Sequence, residues 1–187
     1  MSTEYRQRGI SLIELIMFIV IVSVGIAGIL SVMNVTTKAS ADPLLRKQAL
    51  AIAESLLEEI ELQPFTYCAP DDTNALTAAN AAGCAVPANS EDSLPTAARV
   101  SNVAQRDAAN VADYTNFAMA PIRDISGTQI NGLAAYSASV AITQVGDTLT
   151  PAVAKNDALQ IDVRVVSGNT DITLTGYRFR YAPNALP

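Results

Sequence analysis

The sequence predicts an α+β fold: a long N-terminal helix, its first half apolar enough for a membrane and its second half amphipathic, packed on a C-terminal antiparallel β-sheet. Leu15 to Thr37 contains no charged residue and is mostly Ile, Val, Leu, Met, Ala and Gly. Leu45, Ala49, Ile52, Leu56 and Ile60 then recur at helical spacing on one face. Near the end of the chain, segments starting at Tyr136, Leu159 and Ile172 alternate apolar and polar residues with a period of two.

About 20 helical residues cross a bilayer core of roughly 30 Å, so the uncharged run is long enough to span one. Residues 38–187 suit one compact domain able to bury its own core. Within it the expected order is a helix to about residue 63, a loop region over about 65–96 and a sheet over about 134–182, with residues 97–133 open to a strand or a short helix. Asp42-Pro43 pairs an N-cap residue with a first-turn proline, which starts a helix or kinks a longer one. Gln63-Pro64 ends the amphipathic stretch.

The 187 residues carry a net charge of −6 and no histidine. Nucleic-acid binding draws on a basic stripe that releases counterions, and the composition offers none. Without His there is no Ser-His-Asp or Cys-His catalysis and little zinc chemistry. No nucleophile–base set and no phosphate-cradling Gly loop stands out. The expectation is a protein that is not an enzyme, with no catalytic residue, no metal and no cofactor.

The most informative charge is Glu14, near the start of the apolar helix. A carboxylate at a membrane helix is costly and marks a partner or a function. Arg6-Gln7-Arg8-Gly9, followed by Ile10-Ser11-Leu12-Ile13-Glu14-Leu15-Ile16, resembles the leader and start of type IV pilins and pseudopilins. The resemblance implies a leader peptide of residues 1–9 and a filament-core or transmembrane helix over 10–37. It also implies cleavage between Gly9 and Ile10 by a prepilin peptidase and N-methylation of Ile10. Glu14 then becomes the fifth mature residue. It is expected to neutralise the new ammonium of a neighbouring subunit and so set subunit docking, because an unpaired charge in a low-dielectric filament core is expensive. Two positions depart from the commonest pattern: the first mature residue is Ile rather than Phe, and Ser31 stands where major pilins usually carry Pro. Gly25 and Gly28 each weaken the helix by roughly 1 kcal/mol relative to Ala.

Charge does not orient the helix, since Arg6 and Arg8 on one side nearly balance Lys38, Arg46 and Lys47 on the other. The resemblance implies a cytoplasmic N-terminus: a single pass in the bacterial inner membrane, the C-terminal domain in the periplasm, and later a place in a pilus or pseudopilus. Ala41-Asp42-Pro43, Arg46-Lys47-Gln48-Ala49-Leu50-Ala51-Ile52-Ala53-Glu54 and Leu56-Leu57-Glu58-Glu59 look like minor pilins of the MshD type from mannose-sensitive haemagglutinin (MSHA) pili. This implies partners among other pilins and minor pilins, the prepilin peptidase and an inner-membrane assembly platform.

Cys68 and Cys84, the only cysteines, lie in the loop region, and an oxidising periplasm favours their disulfide. A loop of that size gains roughly 3 kcal/mol in the chain-entropy model. Asp71-Asp72-Thr73-Asn74 lacks the further ligands of a calcium loop and reads as a solvated turn. Ser167-Gly168-Asn169-Thr170 joins the last two strands as a hairpin, with Leu159, Ile161, Val163 and Val165 facing the helix and Gln160, Asp162 and Arg164 facing water. Tyr177-Arg178-Phe179-Arg180-Tyr181 interleaves aromatic and basic residues, a pattern that suits a polyanion or carbohydrate but is also that of an ordinary alternating strand. The functional expectation is a minor pilin that initiates, caps or modifies assembly of an MSHA-like type IV pilus, contributing to adhesion or motility. The alternatives are a pseudopilin of a type II secretion system and a ligand-binding tip adhesin or DNA-uptake pilin.

Overall fold

A computed structural model describes residues 11–106 and 110–180. The chain divides into two compact units, Met1–Leu44 and Leu45–Pro187, and the division falls inside the first element, helix α1 (Leu12–Glu61). Pro43 lies within α1 rather than at a fresh helix start. A proline removes one N–H and crowds one carbonyl a turn earlier, and here the good helix formers after it carry the element through. α1 ends two residues before Gln63, close to the expected stop.

In the second unit, β1 (Ala118–Met119), β2 (Ser137–Gln144), β3 (Ala158–Ser167) and β4 (Thr170–Phe179) form an antiparallel sheet in the order β1-β2-β3-β4, each strand pairing with its neighbour in sequence. This is the α+β arrangement of a long helix and an antiparallel sheet expected from the periodicities. Ser167 pairs with Thr170 across Gly168-Asn169, and Gly168 takes a φ of 56°, as the first central residue of a II′ hairpin turn requires. Residues 97–133, undecided in the sequence, supply the capped helical turn Val111–Tyr114 and the two residues of β1. The turn is held by Asn110, whose side chain and backbone form a reciprocal pair with Asp113.

The β-strand alternation places Ile161, Val163 and Val165 inward, together with Ala138, Val140 and Ile142 of β2. They meet Ala49, Ala53, Leu56 and Ile60 of α1, and Phe65, Tyr114 and Phe117 complete the core. The small residues Ala49 and Ala53 let the helix approach the sheet closely. Gly176 does the same near the helix end: a Cβ there would fall on the Glu61 carboxylate and the Leu57 δ-methyl.

Candidate functional site

The first unit presents an apolar helix with nothing packed around it. Leu12–Met33 is long and apolar enough to cross a membrane, and none of it is buried in the monomer. Such a surface is stable only against lipid or other helices. Ser23 satisfies its own hydroxyl by donating to the Ile19 carbonyl at 2.7 Å, so it adds no exposed polar demand to that face. Glu14 sits in the first turn of α1, where its negative charge suits the positive end of the helix dipole, and its side chain is exposed. Gly9 and Ile10, the expected cleavage and methylation positions, lie outside the described residues, as do Arg6 and Arg8.

The second unit joins Cys68 to Cys84 in a disulfide with a Cα–Cα distance of 5.6 Å. The bridge centres a small cluster with Ala75 and Ala78, separate from the main core. Asp72 corrects the sequence reading of a solvated turn. Its carboxylate is buried, accepting from the backbone N–H of Asn74 and Ala85 at 2.9 and 3.0 Å, from Val86 N–H at 3.1 Å and from Asn89 Nδ2 at 3.2 Å. Those bonds, the Asn74 and Ala85 amides foremost, hold its carboxyl below the usual range. Asp72 therefore closes the disulfide loop around an anion instead of binding a cation.

A ring of charged side chains ties this loop to the end of the sheet. Glu91 is buried and accepts from Arg99 Nη1 at 2.7 Å, and the same nitrogen reaches Asp113 at 3.2 Å. The second Glu91 oxygen is buried without a partner. Burial, then the neighbouring Asp113 charge, push the Glu91 carboxyl up to about 7. Arg180 is buried too, 4.2 Å above the Phe65 ring and 4.6 Å from Tyr67, and donates to the Glu91 carbonyl. Desolvation lowers its pKa.

The aromatic–basic run of β4 alternates as an ordinary strand does, with the arginines inward. Arg178 donates to the Gln63 carbonyl and Arg180 stacks on Phe65, while Tyr177 and Phe179 face out at 48% and 46% exposure. Both guanidinium groups are engaged within the fold, so the run does not display cations to a polyanion. Tyr181 lies outside the described residues.

The residue that sequence reading missed is Arg106. Its guanidinium is bidentate to Glu59 at 2.7 and 2.9 Å and donates to the carbonyls of Arg123 and Asp124 at 3.2 and 2.8 Å. Glu59 also accepts from the Tyr114 hydroxyl at 2.6 Å, and burial with this bond raises the tyrosine pKa. The signal was a lone arginine in an Ala-, Asn- and Val-rich stretch. Above this pair a cleft of about 480 Å³ opens along α1, walled by Ile52, Leu56, Met119, Ile122 and Ile130. Among the described residues no group of three or more His, Cys, Asp or Glu side chains is arranged to hold a metal.

Residues 5–30 match the family described as "Prokaryotic N-terminal methylation motif". The chain thus carries a type IV prepilin-like leader motif followed by the apolar helix. No curated protein and no solved structure matches the chain.

Proposed function

We propose that the chain is a minor pilin that initiates, caps or modifies assembly of an MSHA-like type IV pilus and contributes to adhesion or motility. The observation that carries this reading is the register of the N-terminal segment: the methylation motif over residues 5–30 coincides with an apolar helix whose early charge is an exposed Glu14. A type IV prepilin-type leader implies dealings with a prepilin peptidase and with assembly machinery in general. The role is structural, and the motif supports a non-enzymatic subunit. Cleavage between Gly9 and Ile10 and methylation of Ile10 belong to this proposal, with the C-terminal domain in the periplasm, where the Cys68–Cys84 bridge is stable. Ser31, in place of the helix-breaking proline common in major pilins, and the second-unit helix that resembles MshD-type proteins favour a minor subunit over a principal one.

Glu14 would hold the α-amino group of Ile10 in a neighbouring subunit. Two opposite charges approaching in an apolar medium gain far more than in water, and leaving either alone is costly. The test is N-terminal mass spectrometry of sheared filaments against membranes. The expected result is a chain beginning at methylated Ile10 in both fractions, scarce in the filaments, with a Glu14→Leu variant processed but retained in the membrane. An unprocessed Met1 terminus in both fractions refutes the reading. A processed chain that never reaches sheared surface filaments points to the type II secretion pseudopilin instead.

A further inference from the structure

Asn131-Gly132 is the only Asn-Gly pair in the 187 residues. Asparagine is thermolabile because the backbone nitrogen of the next residue can close a five-membered ring on its side-chain carbon. Glycine is the follower that hinders this closure least, having no Cβ and the widest choice of backbone angles. Both residues are exposed. They sit at the centre of a turn in which the Leu133 N–H donates to the Ile130 carbonyl. Gly132 takes a φ of 85° and Asn131 is not in the left-handed region, which makes this a type II turn.

Most other asparagines among the described residues are held. The side-chain nitrogens of Asn74, Asn89, Asn102, Asn110, Asn116 and Asn156 each donate to an oxygen elsewhere in the fold. Asn80 accepts the Ala82 N–H. Asn169 is followed by the β-branched Thr170, which pairs with Ser167 across the hairpin. By contrast, among the described residues no hydrogen bond holds the Asn131 side chain or the Gly132 N–H. The bond that closes the turn is 3.3 Å, beyond the usual range. A Cβ built on Gly132 would meet nothing within 4 Å. Neither a neighbour nor a strong bond therefore opposes the rotation that brings the Gly132 nitrogen onto Asn131 Cγ.

We propose that Asn131 is a site of spontaneous covalent modification, with water as the only co-reactant. The Gly132 nitrogen bonds to Asn131 Cγ. Its proton passes through solvent to the side-chain amide nitrogen, whose bond to Cγ breaks, and ammonia leaves behind a succinimide. Water then adds to one of the two imide carbonyls and opens the ring. Opening at one leaves an ordinary aspartate. Opening at the other leaves isoaspartate, whose main chain runs through the side-chain carbon and is one methylene longer. Either product carries a carboxylate and takes the net charge of −6 one unit further. Ile130 and Leu133, which flank the pair, line the cleft along α1. The new charge thus lies beside an apolar wall, and the longer main chain of isoaspartate breaks the closure of the turn that sets both side chains. The inference is independent of the pilin reading.

The test incubates the folded full-length chain in detergent at neutral pH and follows the tryptic peptide 124–155 by fragmentation mass spectrometry. Asn131 is the only asparagine in that peptide. A synthetic peptide of residues 126–136 runs in parallel as the unrestrained reference. The expected result is the mass gain of an NH2-to-OH exchange at residue 131, split between aspartyl and isoaspartyl forms with the latter in excess. The rate in the folded chain should lie within about tenfold of that in the free peptide. Gly132→Ala should slow conversion by about tenfold in chain and peptide alike, since its Cβ narrows the backbone geometries that reach the ring. Asn131→Gln, at an exposed position, keeps the amide but needs a larger ring and should stay unconverted. An Asn131 left intact in the folded chain after the free peptide has converted overturns the inference. So does exchange at Gln129 or Gln144 instead, or an unchanged rate in Gly132→Ala.

Discussion

Glu91 is held with one donor, Arg99, and a second oxygen that meets nothing. Its folded-state carboxyl is raised to about 7, mainly by burial. A carboxyl raised on folding favours the protonated folded state, so its contribution is fully present below the ordinary carboxylate range and is lost as pH rises through 7. Arg99 is 45% exposed, so solvent screens the site, and the shift discounted for that screening corresponds to about 2 kcal/mol. Thermal melts of the wild type in detergent should therefore fall in Tm between pH 4.5 and 7, and a Glu91→Gln variant should flatten that slope. An unchanged slope in the variant would show that another group titrates there. Asp72 works in the opposite sense. Its lowered carboxyl stabilises the fold above the ordinary carboxylate range and is lost only on further acidification, so the two windows do not overlap.

Among the elements, the amphipathic half of α1 is fastened from outside by Arg106 as well as by its core packing. Arg106 bonds Glu59 and two carbonyls of the 123–124 segment, and so fastens the helix to the irregular segment before β2. Removing it strands a carboxylate whose side chain is only 16% exposed. Breaking one side of a buried pair costs about 3–5 kcal/mol, and Arg106→Met is expected near the lower figure by urea titration. Adding Glu59→Gln, which keeps an acceptor for Tyr114 while removing the stranded charge, should recover about half of that loss. A single variant as stable as wild type would mean that the pair is no anchor.

At the scale of the molecule, the second unit has a main core under the sheet and a small cluster around Cys68 that does not belong to it. The disulfide and Asp72 organise the small cluster, and Glu91, Arg99 and Arg180 connect it to the strands. Replacing both cysteines with Ala should cost about 3 kcal/mol. The loss should be local: amides over residues 67–90 should exchange faster with solvent while those of β2 and β3 keep their protection. Equal loss of protection across β2 and β3 would show that the loop and the sheet unfold as one unit.

How much of this was legible in the sequence differs by element, and the reason is locality. The uncharged run, the helical stripe from Leu45, the period-two strands and the Gly168-Asn169 hairpin are patterns between near neighbours in the chain, and the structure follows them. The prepilin-like leader motif is equally local, because Gly9, Glu14 and the apolar run signify only by their spacing. Only the tertiary structure decided where the long-range polar groups go. Asp72 looked like a solvated turn and is a buried acceptor. Arg178 and Arg180, in a run that read as an ordinary alternating strand with an anion site as the other reading, face inward, because Phe65, Tyr67 and the Gln63 carbonyl wait there. Arg106 meets Glu59 across 47 residues of sequence, a distance over which no periodicity carries information. A charge buried in a fold must find its partner wherever the chain brings one. The sequence by itself thus determined a membrane-competent helix with a leader motif on an α+β domain, and tertiary packing chose which charges hold that domain together and which stay exposed.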